Sequence, residues 1–345
     1  MTRTGGGWLA VLAVLVVAAF AASLASGSVA ISPADAVRAL AGRETSDPAF
    51  ATIVLQLRLP KALTAALAGA ALATGGLLMQ TLFRNPLAGP YVLGLSAGAS
   101  LGVALVVLTA GAGGARLLGE LGLLGDAGLI AAASLGAGLV LVLVLIAARR
   151  VSSLTLLILG VLFGYAVSAL VTVLMHFSIA ERIQAYVLWT FGSFGGVTWS
   201  QLRLLAPAVL LGLGVAMACA KPANALLLGS RYARSMGLAV GRSRLLILSA
   251  TALLAGSVTA FCGPIAFLGV AVPHLARALL GSGDHRRLLP AAALAGALVA
   301  LVADLLAQLP GREGVLPLNA VTALLGAPVI AWLILRRRGL EGSFG

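Results

Sequence analysis

The chain has 345 residues, of which 61% are hydrophobic and only 10% charged. A soluble domain carries roughly 25% charged residues, so this composition excludes one. The formal net charge of +13 would suggest nucleic acid in a soluble protein. In a membrane protein, Lys and Arg collect in the loops on one side of the bilayer, so the excess is a topological signal and no nucleic-acid partner is expected.

At about 20 apolar residues per crossing helix, the chain holds enough for roughly ten spans. The first apolar run, Trp8 to Leu24, is longer than the roughly 7 to 15 residues of a secretory signal core and follows a single Arg3, so an uncleaved first span is expected. Further runs follow at Leu63 to Leu82, Val92 to Ala110, Leu129 to Ala147, Leu154 to Met175 and Leu204 to Ala220. The last four are Leu245 to Phe261, Ile265 to Leu280, Pro290 to Leu306 and Leu318 to Leu335. The Ile265 to Leu280 run holds Pro273, His274 and Arg277 and is set off from its predecessor only by Cys262 to Pro264, which predicts a broken or partly buried helix. Placing the N-terminus in the cytoplasm puts Arg3, Arg84, Arg149, Arg150, Lys221, Arg231, Arg234, Arg242, Arg244, Arg277, Arg286, Arg287, Arg336, Arg337 and Arg338 inside, and most acids outside. That is the orientation the positive-inside rule favours.

The connections are short. The longest outer one is Ser26 to Pro60 and the longest inner one Lys221 to Arg244, so residues 1–345 read as a single transmembrane domain. The inner loop carries positive residues and no acid; it reads either as a dock for a cytoplasmic partner or as a solvated loop held near anionic lipid. Glycines at Gly94, Gly98, Gly102, Gly160 and Gly164 recur every fourth residue and predict close helix packing. Cys219 and Cys262 sit in apolar stretches without further ligands at metal spacing, and read as core residues.

Several chemistries are excluded by motif. The only lysines, Lys61 and Lys221, do not follow a phosphate-binding glycine loop, and His176, His274 and His285 do not form a metalloprotease motif. Gly94-Leu95-Ser96-Ala97-Gly98 fits the pattern of a serine nucleophile, but it opens an apolar helix instead of a strand-to-helix elbow, which disfavours an intramembrane protease. Asp304 is nearly alone as an intramembrane acid; its position near the outer end of a span favours a structural hydrogen-bonded role over a proton relay, so a secondary transporter has weak support. His176, between Met175 and Phe177, is either an interfacial histidine or a contact for substrate in a central pathway.

Arg58-Leu59-Pro60-Lys61, Gly69-Ala70-Ala71-Leu72 and Gln80-Thr81-Leu82-Phe83-Arg84-Asn85-Pro86-Leu87-Ala88 resemble the permease subunits of iron-siderophore, haem and vitamin B12 ABC importers. The resemblance continues through Gly94 to Ala99, Gly263-Pro264-Ile265-Ala266-Phe267-Leu268-Gly269, Val272 to Arg277, Asp284 to Pro290 and Thr322 to Pro328, and covers nearly the whole chain. It implies an all-α, polytopic transmembrane helix bundle of about ten spans, vitamin B12 importer permease-like, in the plasma (inner) membrane with both termini cytoplasmic. The implied assembly is a homodimer with two cytoplasmic ABC ATPase subunits, which hold ATP and Mg, and an extracytoplasmic substrate-binding protein. The subunit itself is then no enzyme and has no catalytic residue, cofactor or metal site, and its spans contact membrane lipid. The cargo the resemblance implies first is a ferric siderophore, with haem or cobalamin as alternatives.

The resemblance further implies that Leu228, Gly229, Ser230, Arg231, Tyr232, Ala233, Arg234, Ser235, Met236 and Gly237 couple to the ATPase. Ser230 stands where many members carry an acid. Spans five and ten line the pathway. Arg58 and Lys61 match cations that grip the binding protein; Gln308 occupies the third position, with Arg312 four residues on as its substitute.

Overall fold

The computed structural model describes residues 4–109, 126–308 and 314–336, and every regular element among them is helical. In chain order these are α1 (Thr4–Ala25), α2 (Pro33–Leu40), α3 (Pro48–Phe83), α4 (Leu95–Thr109), α5 (Asp126–Ala148), α6 (Ser153–His176) and α7 (Ala180–Thr190). There follow α8 (Trp199–Ala218), α9 (Ala220–Leu227), α10 (Ser230–Ser235), α11 (Val240–Cys262), α12 (Leu268–Leu280), α13 (His285–Ala307) and α14 (Leu318–Arg336). Seven are long and apolar enough to cross a bilayer, and α4, α12 and α14 are shorter apolar helices. Together they account for the ten runs read from the sequence.

Helix α3 is the axis of the bundle, 83% buried along its apolar window, whereas α6 is 17% buried. Small residues explain how α3 is so closely surrounded. A β-carbon added at Gly69 would lie 2.1 Å from the Gly296 carbonyl of α13, and one at Gly76 would lie 1.7 Å from the Gly269 carbonyl of α12. Only glycine permits backbones to meet at that distance. Of the expected stripe, Gly98 and Gly102 pack against Gly136 and Ala132 of α5 and Gly160 against Val92, while nothing lies within 4 Å of Gly164. Gly94 instead ends a short 3-10 turn, Pro90–Leu93, with a positive φ of 77°, which delays the start of α4 to Leu95.

Two boundaries differ from the sequence reading. Helix α3 starts at Pro48 and passes through a π-helical stretch, Ile53–Arg58, so Arg58 and Lys61 lie within it instead of in a loop before it. The short α12 rises about 20 Å at 1.5 Å per residue, and the non-helical Gly263 to Phe267 completes its layer. The backbone of that segment is satisfied by protein: Ile265 N–H donates to the Tyr91 hydroxyl at 3.3 Å, and Ala266 N–H donates to Asn319 Oδ1 at 2.9 Å. Asn319 Nδ2 donates to the carbonyls of Thr190 and Pro264, so one amide ties α7, the α11–α12 turn and α14 together. Irregular backbone at membrane depth is tolerated where such partners exist.

The bundle has two unlike ends. One carries Arg84, Arg149, Arg150, Lys221, Arg231, Arg234, Arg242, Arg244, Arg277, Arg286 and Arg287, against Asp284 as the one acid among the described residues there. The opposite end carries α2, α7 and the pairing of Lys61 with Asp304.

Candidate functional site

The basic end projects the α9–α10 loop. Ala223 and Leu226 of α9 are buried against α3 and α13, which anchors the loop's first helix. Gly229 then turns the chain at φ 100°, ψ 150°, a conformation that side chains other than glycine rarely adopt, and α10 follows. Gly237 closes α10 at φ 82°. Within this frame Ala233 is fully buried, whereas Leu228, Tyr232 and Met236 are each more than half exposed, at 62%, 53% and 52%. Tyr232 and Met236, four residues apart on α10 and its C-terminal cap, share one side of that helix, while Leu228 precedes the Gly229 turn. Ser230, Arg231, Arg234 and Ser235 are also exposed. The loop thus presents three exposed apolar side chains among arginines, framed by Gly229 and Gly237.

Behind the loop lies a polar network. Asn224 Nδ2 on α9 donates to Asp284 Oδ1 at 2.6 Å, and Asn224 Oδ1 accepts from the His285 backbone N–H and lies 2.8 Å from His285 Nδ1. His285 Nε2 is 2.8 Å from Thr81 Oγ1 on α3. The amide hydrogen bond from Asn224, more than any other influence, holds the Asp284 carboxyl below the usual carboxylate range. Next to these groups Arg277 donates to Gln80 Oε1, Gln80 donates to the Val270 carbonyl at 3.0 Å, and His274 Nε2 meets the Pro86 carbonyl at 2.8 Å. Gln80, Thr81, Leu228, Arg277 and His285 line a cavity of about 420 Å³ that opens beside the loop.

At the opposite end the two matched cations are not equivalent. Arg58 is 8% exposed, and its guanidinium donates to the carbonyls of Leu24 and Ala25 at 2.9 and 2.7 Å and to that of Val29. It is therefore not the exposed gripping cation that the resemblance implies; it fastens the end of α1 to α3. The reason is local: α1 ends there with unsatisfied carbonyls, and a five-donor guanidinium beneath them satisfies several at once. Lys61 Nζ lies 3.1 Å from Asp304 Oδ1 of α13, and Gln308 Nε2 donates to the second carboxylate oxygen at 2.7 Å. Asp304 thus has the hydrogen-bonded structural role expected of it. Arg312 lies outside the described residues. Nearby, Asp35 of α2 accepts from the Ser46 backbone and from the Ser46 and Ser32 hydroxyls; these bonds, led by the Ser46 N–H, pull its carboxyl down to about 2.

Met175, His176 and Phe177 end α6. Phe177 is 82% exposed, and the His176 ring meets it edge-on with centroids 5.0 Å apart. The arrangement leaves both rings on the surface. Ser96 lies in the first turn of α4 and has no hydrogen bond to a histidine among the described residues; His274 Nε2 instead meets the Pro86 carbonyl, and the His176 ring meets Phe177. Both cysteines are buried. The sequence reading did not single out Asn224 or Asn319, and it named Thr81, Asp284 and His285 only within motifs, without a role; the available signal was a polar side chain at the edge of an apolar run, which alone names no partner.

Residues 15–336 match the model of the FecCD transport family. Among curated proteins, the chain is 39% identical over 332 residues to the vitamin B12 import system permease protein BtuC of Citrobacter koseri, covering 96% of this chain and 94% of that protein. It is 40% identical over 330 residues to the protein of the same name from Escherichia coli O17:K52:H18, covering 95% of each. Among solved structures, an inward-facing conformation described as of a metal-chelate type ABC transporter superposes with a TM-score of 0.81 at 29% identity, covering 95% of this chain and 98% of that one.

Proposed function

The chain belongs to the FecCD transport family, and on that premise we propose that it is the membrane permease subunit of an ABC importer for vitamin B12. The observation that carries the cargo is the identity of about 40% with vitamin B12 permeases over 95% of both chains. It displaces the ferric siderophore put first on resemblance alone, for which the relatives above offer no specific support.

In this reading the basic end faces the cytoplasm, and the Leu228, Tyr232 and Met236 side chains seat in an ABC ATPase that binds and hydrolyses ATP. The exposure of these side chains at a water-facing loop, instead of in the apolar belt, supports that seat. A second copy of the chain closes the pathway along α6 and α14, whose large exposed residues include Leu162, Tyr165 and Leu324. The binding protein meets the opposite end, where Lys61 keeps one-fifth of its side chain exposed while Arg58 braces the surface from beneath. ATP-driven closure of the ATPases switches which end is open, as rigid-body motion of the two bundles.

The test is mass spectrometry of what copurifies from the native membrane in mild detergent, followed by uptake measurements in proteoliposomes. A near-equimolar ABC ATPase and ATP-dependent accumulation of cyanocobalamin support the reading. ATP-dependent uptake of a ferric siderophore in preference to cyanocobalamin overturns the cargo, and uptake driven by a proton gradient without ATP overturns the class.

A further inference from the structure

The α9–α10 loop can move the membrane helices only through what joins it to them, and one side-chain joint between α9 and the spans is centred on Asn224. Its geometry leaves little freedom in assigning donors. Asp284 is outside the membrane spans and caps α13 by accepting from the Arg286 N–H at 3.1 Å, so its carboxylate acts as an acceptor and the Asn224 NH₂ group must face it. Asn224 Oδ1 then faces α13, where it receives the His285 backbone N–H and the Nδ1–H at 2.8 Å each. A neutral ring with its proton on Nδ1 presents Nε2 as an acceptor 2.8 Å from the Thr81 hydroxyl of α3, whose single proton is shared between this nitrogen and the Leu77 carbonyl at 2.9 Å. His285 is 1% and Thr81 1% exposed, so the contact between them is sheltered from water.

We propose that Asn224 is the positioning residue that transmits movement of the ATPase-docking loop to the transmembrane bundle, by locking α9 to the start of α13 and, through His285, to the end of α3. The inference rests on the permease reading. It adds to it a specific joint: α3 and α13 pack along an extended seam, with Gly69 against Gly296, so a displacement delivered to their ends at the basic face moves both as one body. The buried Ala223 and Leu226 of α9 make apolar contacts that can slide, whereas the half-buried Asn224, with three hydrogen bonds to Asp284 and His285, cannot shift without losing bonds.

The experiment uses the permease with its copurifying ATPase and binding protein in proteoliposomes, and reads cyanocobalamin taken up per ATP hydrolysed. In Asn224→Ala the complex is expected to assemble and hydrolyse ATP while uptake per ATP falls about tenfold, within the range usual for coupling between sites. Asn224→Asp sets two carboxylates against each other and is expected to lose coupling likewise. The exchange Asn224→Asp with Asp284→Asn restores a donor facing a carboxylate and keeps a residue suited to cap α13, so it is expected to recover uptake per ATP to within about twofold. If Asn224→Ala does not assemble, the single and double exchanges decide alone. Wild-type coupling in Asn224→Ala or Asn224→Asp, or failure of the double exchange to recover it, overturns the joint while leaving the permease reading in place. Absence of ATP-driven uptake in the wild-type complex overturns both.

Discussion

Lys61 and Asp304, separated by most of the chain, form an ion pair of 3.1 Å between α3 and α13, with side chains 21% and 7% exposed. Removing one member of so sheltered a pair leaves the other charged and poorly solvated. Lys61→Met should therefore lower the stability of the detergent-solubilised protein by about 3 kcal/mol. The double variant Lys61→Met with Asp304→Leu should recover most of that loss, since paired apolar replacements leave no orphan charge. Thermal unfolding of the wild type, Lys61→Met, Asp304→Leu and the double variant provides the comparison, and equal losses in the single and double variants would refute the coupling.

Arg58 makes a related case with a different diagnosis. Its guanidinium serves three carbonyls at the end of α1 and beyond it, so Arg58→Ala should cost about 3 kcal/mol in unmet acceptors and lost charged hydrogen bonds. A purely docking cation would instead weaken binding-protein association with no change in melting temperature. Measuring both quantities on the same variant separates the two roles.

Close backbone packing predicts a sharp contrast between glycines. At Gly76 an added β-carbon falls 1.7 Å from the Gly269 carbonyl, whereas at Gly164 nothing lies within 4 Å. Gly76→Ala should cost about 3 kcal/mol or prevent folding, because α3 and α12 must separate. Gly164→Ala should change stability by about 1 kcal/mol or less, in the favourable direction. Expression yield and thermal unfolding of the two variants are the measurements, and similar behaviour would count against the close approach.

Gly237 holds φ at 82° where the chain leaves α10. A β-branched residue there strains the turn and reorients the Leu228, Tyr232 and Met236 side chains relative to the bundle. Gly237→Val is expected to uncouple ATP hydrolysis from transport in the assembled complex. Normal uptake per ATP in this variant would show that the turn's conformation is not needed.

The Asp35 hydrogen bonds give a pH dependence of definite sign. The folded carboxyl is held at about 2, below its ordinary 3.8, chiefly by the Ser46 N–H. The stabilisation is therefore fully present above the unfolded value and disappears as pH falls through the folded one. The melting-temperature gap between wild type and Asp35→Asn should be constant above about pH 5 and narrow progressively towards pH 2. A gap that widens on acidification would contradict the assignment.

The sequence by itself determined the membrane architecture and the family. Crossing a bilayer imposes a local requirement, a run of apolar residues of sufficient length, which any window of the chain reveals; the ten runs, the uneven ends and the motif order follow from that. The weak eighth run was legible too, because Pro273, His274 and the nearby Gly263 and Pro264 are local signals. What only the tertiary structure decided is which polar groups are held inside and which are left for partners. Arg58 reads as a free cation until the carbonyls of Leu24, Ala25 and Val29 are seen above it. Asp304 reads as solitary until α13 brings it to Lys61, and Asn224 carries no signal until α9 sets it against Asp284 and His285. The physical reason is that neutralising a charge or satisfying an amide requires a partner within about 3 Å, and for these residues the partner is supplied by folding instead of by sequence neighbours.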